Sequence, residues 1–156
     1  MPIIPFVAGQ KLTTELVNTK FDFTRTVCQL SDSAASTSTA FSSSTDLVLS
    51  VVANGLYKLV TQIFVDTNAT ADAKLNVLLP VGSTVRFSDP GSTTTSTSTQ
   101  RSYAGVAAGT VISCEFSGFI DTAATSGDLT IQYGQVVASG STIVKAGSTI
   151  QLIRLA

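Results

Sequence analysis

The chain has 156 residues, with 9 basic and 10 acidic side chains and a formal net charge of −1. That length fits one ordinary domain, with or without a short arm. It contains no histidine and no tryptophan, which excludes Ser-His-Asp and Cys-His catalysis, His-ligated zinc and a histidine pH switch.

Charged residues make up only 12% of the chain, against about 25% in an average soluble protein. Serine and threonine fill more than a quarter. The solvated surface is therefore expected to carry hydroxyls more than charges. No basic run is present, so a phosphate-neutralising nucleic-acid binder is not expected. Apolar stretches such as residues 47–53 fall far short of the roughly 20 residues of a membrane helix, and no membrane partner is expected. A surface this low in charge is expected to be covered by a partner.

In chain order, residues 1–24 read as an arm. Pro2 and Pro5 bracket Ile3 and Ile4 and favour extended backbone. This opening lacks the charged region and long apolar run of a secretory signal. Residues 11–18 fit one short helix, with Leu12 and Leu16 on one face. Eight residues do not hold a helix alone in water, so the segment must dock.

Residues 25–156 read as one all-β body. Residues 24–30 are rich in β-branched side chains. A Ser/Thr/Ala stretch follows over 31–45, interrupted by Asp32 and Phe41. Residues 46–53 form a strand candidate before the turn signal Asn54-Gly55. Residues 56–66 place Tyr57, Leu59, Ile63 and Val65 on one face. Strand candidates follow at 73–79 and 84–87. Residues 92–99 are pure Ser/Thr, without an apolar face, and read as an exposed loop. Residues 111–120 alternate most cleanly, with Ile112, Cys114, Phe116, Gly118 and Ile120 on one side. Residues 129–137, 143–144 and 148–155 complete the series. About eight strands with turn signals every 8–12 residues or so predict an antiparallel β-sandwich or jelly roll.

Few residues suggest chemistry. Asp121 and Asp128, and likewise Asp66 and Asp72, flank loops as a glycosidase pair might, but turn aspartates capping loop amides are the expectation. Residues 66–72 alternate oxygen ligands yet lack the glycine and glutamate of a calcium loop. Asn68-Ala69-Thr70 is a formal glycosylation sequon. Glu115 sits mid-strand and reads as a polar-face residue, paired across the sheet or an interface, rather than a catalytic base. Cys28 and Cys114 are expected to be two small buried thiols, not a disulfide or zinc site. No cofactor, metal or catalytic residue is expected.

The C-terminal third carries a resemblance. Residues 127–135 (GDLTIQYGQ) followed by 143–152 (IVKAGSTIQL) resemble the closing strands of phage structural proteins with a TNF/C1q-like jelly roll. Leu56-Tyr57-Lys58-Leu59 after Asn54-Gly55 is similar to an internal strand of the same proteins. Phe6 to Thr13 and Leu16-Val17-Asn18 resemble the opening of virion proteins from actinobacterial tailed phages, with Thr14 in place of the usual alanine and Val17 inserted before Asn18. Residues 83–103 match no motif.

The resemblance implies a homotrimer of jelly rolls and a role in the virion. The expectation is a non-enzymatic capsid decoration protein, made in the host cytoplasm and placed on the outer capsid surface. Its arm (Ile3, Ile4, Phe6, Leu12 and Leu16) would hold the major capsid protein. Tyr57, Leu59, Phe116, Tyr133, Ile150 and Leu152 are the candidates for core and trimer contacts. The alternative is a minor tail or receptor-binding protein that contacts host surface glycans.

Overall fold

The two cleanest alternating segments pair with each other. In the computed structural model, which describes residues 24–88 and 97–155, Leu56–Thr67 and Val111–Asp121 run antiparallel from Leu56↔Asp121 to Asp66↔Val111 without a break. Period-two burial explains the match: Tyr57, Leu59, Ile63 and Val65 of one strand and Cys114, Phe116 and Ile120 of the other all lie inside.

The described residues hold ten strands: β1 Thr24–Cys28, β2 Ser42–Val51, β3 Leu56–Thr67, β4 Ala73–Leu78, β5 Thr84–Ser88, β6 Gln100–Tyr103, β7 Val111–Asp121, β8 Gly127–Gln135, β9 Thr142–Val144 and β10 Thr149–Arg154. One sheet has the order β1-β10-β3-β7-β5, with β9 also on β3. The other has the order β2-β8-β4-β6. All strand pairs are antiparallel. From β1 to β9 each successive strand lies in the opposite sheet, so hydrogen-bonded neighbours are distant in sequence. This is jelly-roll connectivity, and it closes a two-layer core.

β9 and β10 together line one side of β3 as an interrupted strand. β10 pairs with Tyr57–Gln62 and β9 with Val65–Thr67. The break at residues 145–148 is filled by Lys145, whose amide donates to Phe64 O at 2.8 Å, and by Ser148 Oγ, which accepts the Phe64 amide at 2.9 Å. Gly147 takes φ +87° there, a conformation only glycine adopts freely.

The core joins both sheets through Leu47, Leu75, Leu129 and Ile131 on one side and Leu59, Ile63, Phe87, Phe116, Ile120 and Ile150 on the other. Each such side chain contributes roughly 1.5–3 kcal/mol on burial. Phe87 and Phe116 meet edge-to-face, centroids 5.5 Å apart and planes at 71°.

Several expectations change. Ten strands replace about eight. β6 is the strand the sequence hides, because Gln100-Arg101-Ser102-Tyr103 has no apolar alternation; its buried member is Arg101, whose guanidinium lies 5.4 Å from the Phe87 ring centroid. β2 starts at Ser42, inside the hydroxyl stretch, with a register shift between Ser43 and Val48. There Ser44 turns inward, donates to Gln29 Oε1 at 2.7 Å and accepts the Leu47 amide at 3.0 Å. Residues 31–45 are also more than surface: Ser36 exchanges both backbone bonds with Thr142. Cys28 is exposed, not buried, at the end of β1, while Cys114 is buried; both thiols are free. Residues 1–23, with the short helix expected there, and the Ser/Thr run up to residue 96 lie outside the described residues, while residue 24, counted with the arm, opens β1.

Candidate interaction surface

The two sheets present different outer faces. On the β2-β8-β4-β6 sheet, Ser43, Gln132, Asn76 and Gln100 lie in one cross-strand row. Asn76 Nδ2 donates to Gln132 Oε1 at 2.7 Å, and Gln132 Nε2 donates to Ser43 Oγ at 3.1 Å. Beside this ladder Lys74 Nζ sits 4.5 Å from the Phe41 ring centroid. The row is polar, and its Asn76, Gln132 and Ser43 side chains bond one another; the apolar member of this face is Leu78, two residues on from Asn76 and 47% exposed.

The other outer face carries apolar side chains. Leu56, Val60 and Phe119 are 39%, 37% and 49% exposed. Ile153, half-buried, joins them on β10. Lys58 on β3 and Arg86 on β5 stand on either side of Phe119, in register with it. Glu115 stands four residues before Phe119 on β7, opposite Gln62. Ser113 Oγ donates to Glu115 Oε1 at 3.0 Å. Exposed apolar side chains of this size, in one patch, mark an interaction face.

The loops at the end where β1 begins and β10 stops are fastened together. Thr122, fully buried, donates from Oγ1 to Val52 O at 2.6 Å and accepts the Gly55 amide at 2.9 Å. Asn54, at φ +55°, donates its amide to Ala123 O. The Asn-Gly turn is thus built as expected, with its glycine against the Tyr57 ring, where no Cβ would fit.

The aspartates act as turn caps. Asp66 Oδ1 accepts the Gly109 amide at 2.9 Å, Asp72 Oδ1 the Gly105 amide at 2.8 Å and Asp121 Oδ1 the Ala123 amide at 2.9 Å. Asp128 Oδ1 accepts Ser50 Oγ at 2.7 Å. Asn68 of the sequon is committed inward: Oδ1 accepts the Thr70 and Ala71 amides and Nδ2 donates to Ser139 O at 3.0 Å. Among the described residues no group of three or more metal-ligating side chains gathers.

Two titratable groups are displaced. The Lys145 ammonium hydrogen-bonds Asp32 and, with the Ala146 amide, holds that carboxyl below its ordinary value. Burial pushes the Cys114 thiol up to about 12.

Of the residues singled out from the sequence, Tyr57, Leu59, Phe116, Tyr133, Ile150 and Leu152 all lie inside the protomer. Tyr57 Oη accepts the Val52 amide at 3.0 Å, and Tyr133 Oη donates to Ala34 O at 2.7 Å. All six are core side chains of the protomer. Ile3, Ile4, Phe6, Leu12 and Leu16 lie outside the described residues. The residues that sequence reasoning missed as surface are Val60, Phe119 and Ile153; the signal was their place in the outward register of strands whose inward register was already apolar.

No family model matches the chain, and no curated protein matches it. Among solved structures it is similar to the Eiger TNF from S. frugiperda, at 14% identity over 85% of this chain and 93% of that chain, with a TM-score of 0.36. The jelly-roll assignment rests on the strand order given above.

Proposed function

We propose that this chain is a non-enzymatic, homotrimeric structural protein of a tailed-phage virion, a decoration protein on the outer head surface. The trimer is carried by one observation: the outer face of the β1-β10-β3-β7-β5 sheet exposes Leu56, Val60 and Phe119 together, whereas the opposite face exposes Leu78 beside the bonded row Asn76, Gln132 and Ser43. A face of that kind is covered by protein. The virion role is supported by the resemblance of both ends of the chain to phage structural proteins. The arm, with Ile3, Ile4, Phe6, Leu12 and Leu16, is assigned to the major capsid protein. Three arms on one trimer would bind with avidity.

Light scattering on the purified chain tests the trimer: three protomer masses are expected, and a monomer at all concentrations would overturn it. Removing residues 1–18 should leave the trimer intact and abolish binding to heads. Full decoration by the truncated chain would remove the arm from this account.

A minor tail or receptor-binding protein is the second reading. The observation favouring it is the neutral row that ends at Gln100, whose exposed amide takes no part in the bonds among Asn76, Gln132 and Ser43 and suits a glycan. Binding of the purified chain to host cells or cell-wall extract distinguishes it from the first.

A further inference from the structure

The outer face of the β1-β10-β3-β7-β5 sheet leaves three charges poorly used. Lys58 and Arg86 are both exposed, flank Phe119, and have no ion pair among the described residues. Glu115, also exposed, has only the Ser113 hydroxyl of its own strand. Asp66 and Asp121, the other carboxylates along this face, already accept loop amides.

The cations and Glu115 do not meet within one protomer. Phe119 and Glu115 are four residues apart on β7, which is about 13 Å along a strand. The row Val60–Ser117 lies between the two groups. Elsewhere on the surface, charges of opposite sign find each other, as Lys145 and Asp32 do.

A closed three-fold ring uses heterologous contacts, in which one patch of each copy meets a different patch of the next. Charges too far apart to pair inside a copy are then free to pair between copies. The apolar side chains around them, Val60, Phe119 and Ile153, supply the desolvated setting in which such a pair fixes register.

We infer that a second copy of this chain covers this face, and that Lys58 and Arg86 of one protomer, on either side of Phe119, receive Glu115 of the next. The inference rests on the homotrimer proposed above and adds the residues that set its register. Each copy gives its cations to one neighbour and its carboxylate to the other, so the ring closes with all three contacts alike.

The test is a charge swap read by light scattering and sedimentation over a concentration series, with circular dichroism to confirm folding. All three side chains are exposed in the protomer, so folding is not at risk. E115K alone, and K58E/R86E together, should each raise the concentration at which the trimer dissociates by roughly 100-fold, the scale of an unpaired interfacial charge. The combined K58E/R86E/E115K variant should recover most of that loss, because the pairs are restored with signs exchanged. Unchanged dissociation in either reversed variant would overturn the inference. So would a combined variant no better than its parts. A wild-type chain that is monomeric throughout would instead remove the trimer itself.

Discussion

Thr61 and Phe116 stand opposite each other on β3 and β7, and the threonine hydroxyl serves both backbone groups of its partner: Oγ1 donates to Phe116 O at 2.9 Å and accepts the Phe116 amide at 3.1 Å. Thr61 and Thr67 are the polar members of an inward row otherwise made of Tyr57, Leu59, Ile63 and Val65, and Thr61 is the one in its middle. Its hydroxyl is tolerated there because both of its bonds are made.

Replacing it tests that statement. Thr61→Val keeps the shape and strips the hydroxyl, and should cost about 1–3 kcal/mol. Thr61→Ser should retain most of the stability. Urea midpoints at fixed slope would measure both; a valine variant as stable as the wild type would show that the bond carries little.

Gly118 should be still less replaceable. It lies in the middle of β7, opposite Phe87 of β5, and a Cβ there would overlap Arg86 O and the Phe87 ring. Gly118→Ala must push β5 outward or tilt the Phe87 ring, at a cost on the order of 3 kcal/mol. Because Arg86 rides on β5, the variant should also weaken self-association. Denaturant unfolding and light scattering on one preparation check the two effects together.

The thiols should separate by reactivity. Cys28 is exposed and Cys114 buried, its thiol pushed up to about 12. An alkylating reagent at neutral pH should therefore label one site in the native chain and the second only after unfolding. Burial favours the neutral thiol in the folded state, so that contribution to stability is present below the ordinary value of 9.0 and is lost as pH rises from there towards 12. Cys114→Ala should flatten this alkaline loss; mass spectrometry and alkaline melting curves provide the readouts.

Asp32 should govern part of the acid limb. Its carboxyl is held below the ordinary 3.8 by Lys145 first and by the Ala146 amide second. The folded state favours the ionised form, so the contribution is present above about 3.8 and is lost as pH falls through the lowered value. Asp32→Asn should be less stable near neutrality and show a shallower loss below pH 4. An acid limb identical to that of the wild type would remove Asp32 from this role.

Much of the fold was legible from period-two alternation. β3 and β7 stood out because each has one apolar face and one mixed face, and a one-residue slip would expose the whole apolar row. β6 was not legible, since Arg101 is buried by lying over Phe87, a tertiary contact that leaves no mark in local pattern. The early start of β2 was hidden for a similar reason: Ser44 is inside because Gln29 awaits it. For the interaction face the limit was different. Periodicity separated inward from outward residues, so it found Tyr57, Leu59 and Phe116, but these fill one protomer. Which outward residues lie side by side depended on cross-strand register, and register placed Lys58 and Arg86 beside Phe119.

Copy number in purified particles is the most direct test of the proposed trimer on a phage head. Stained-gel densitometry against the major capsid protein should give a ratio near one, as a head decoration protein requires. A few copies per particle would contradict the claim and move the chain to the tail.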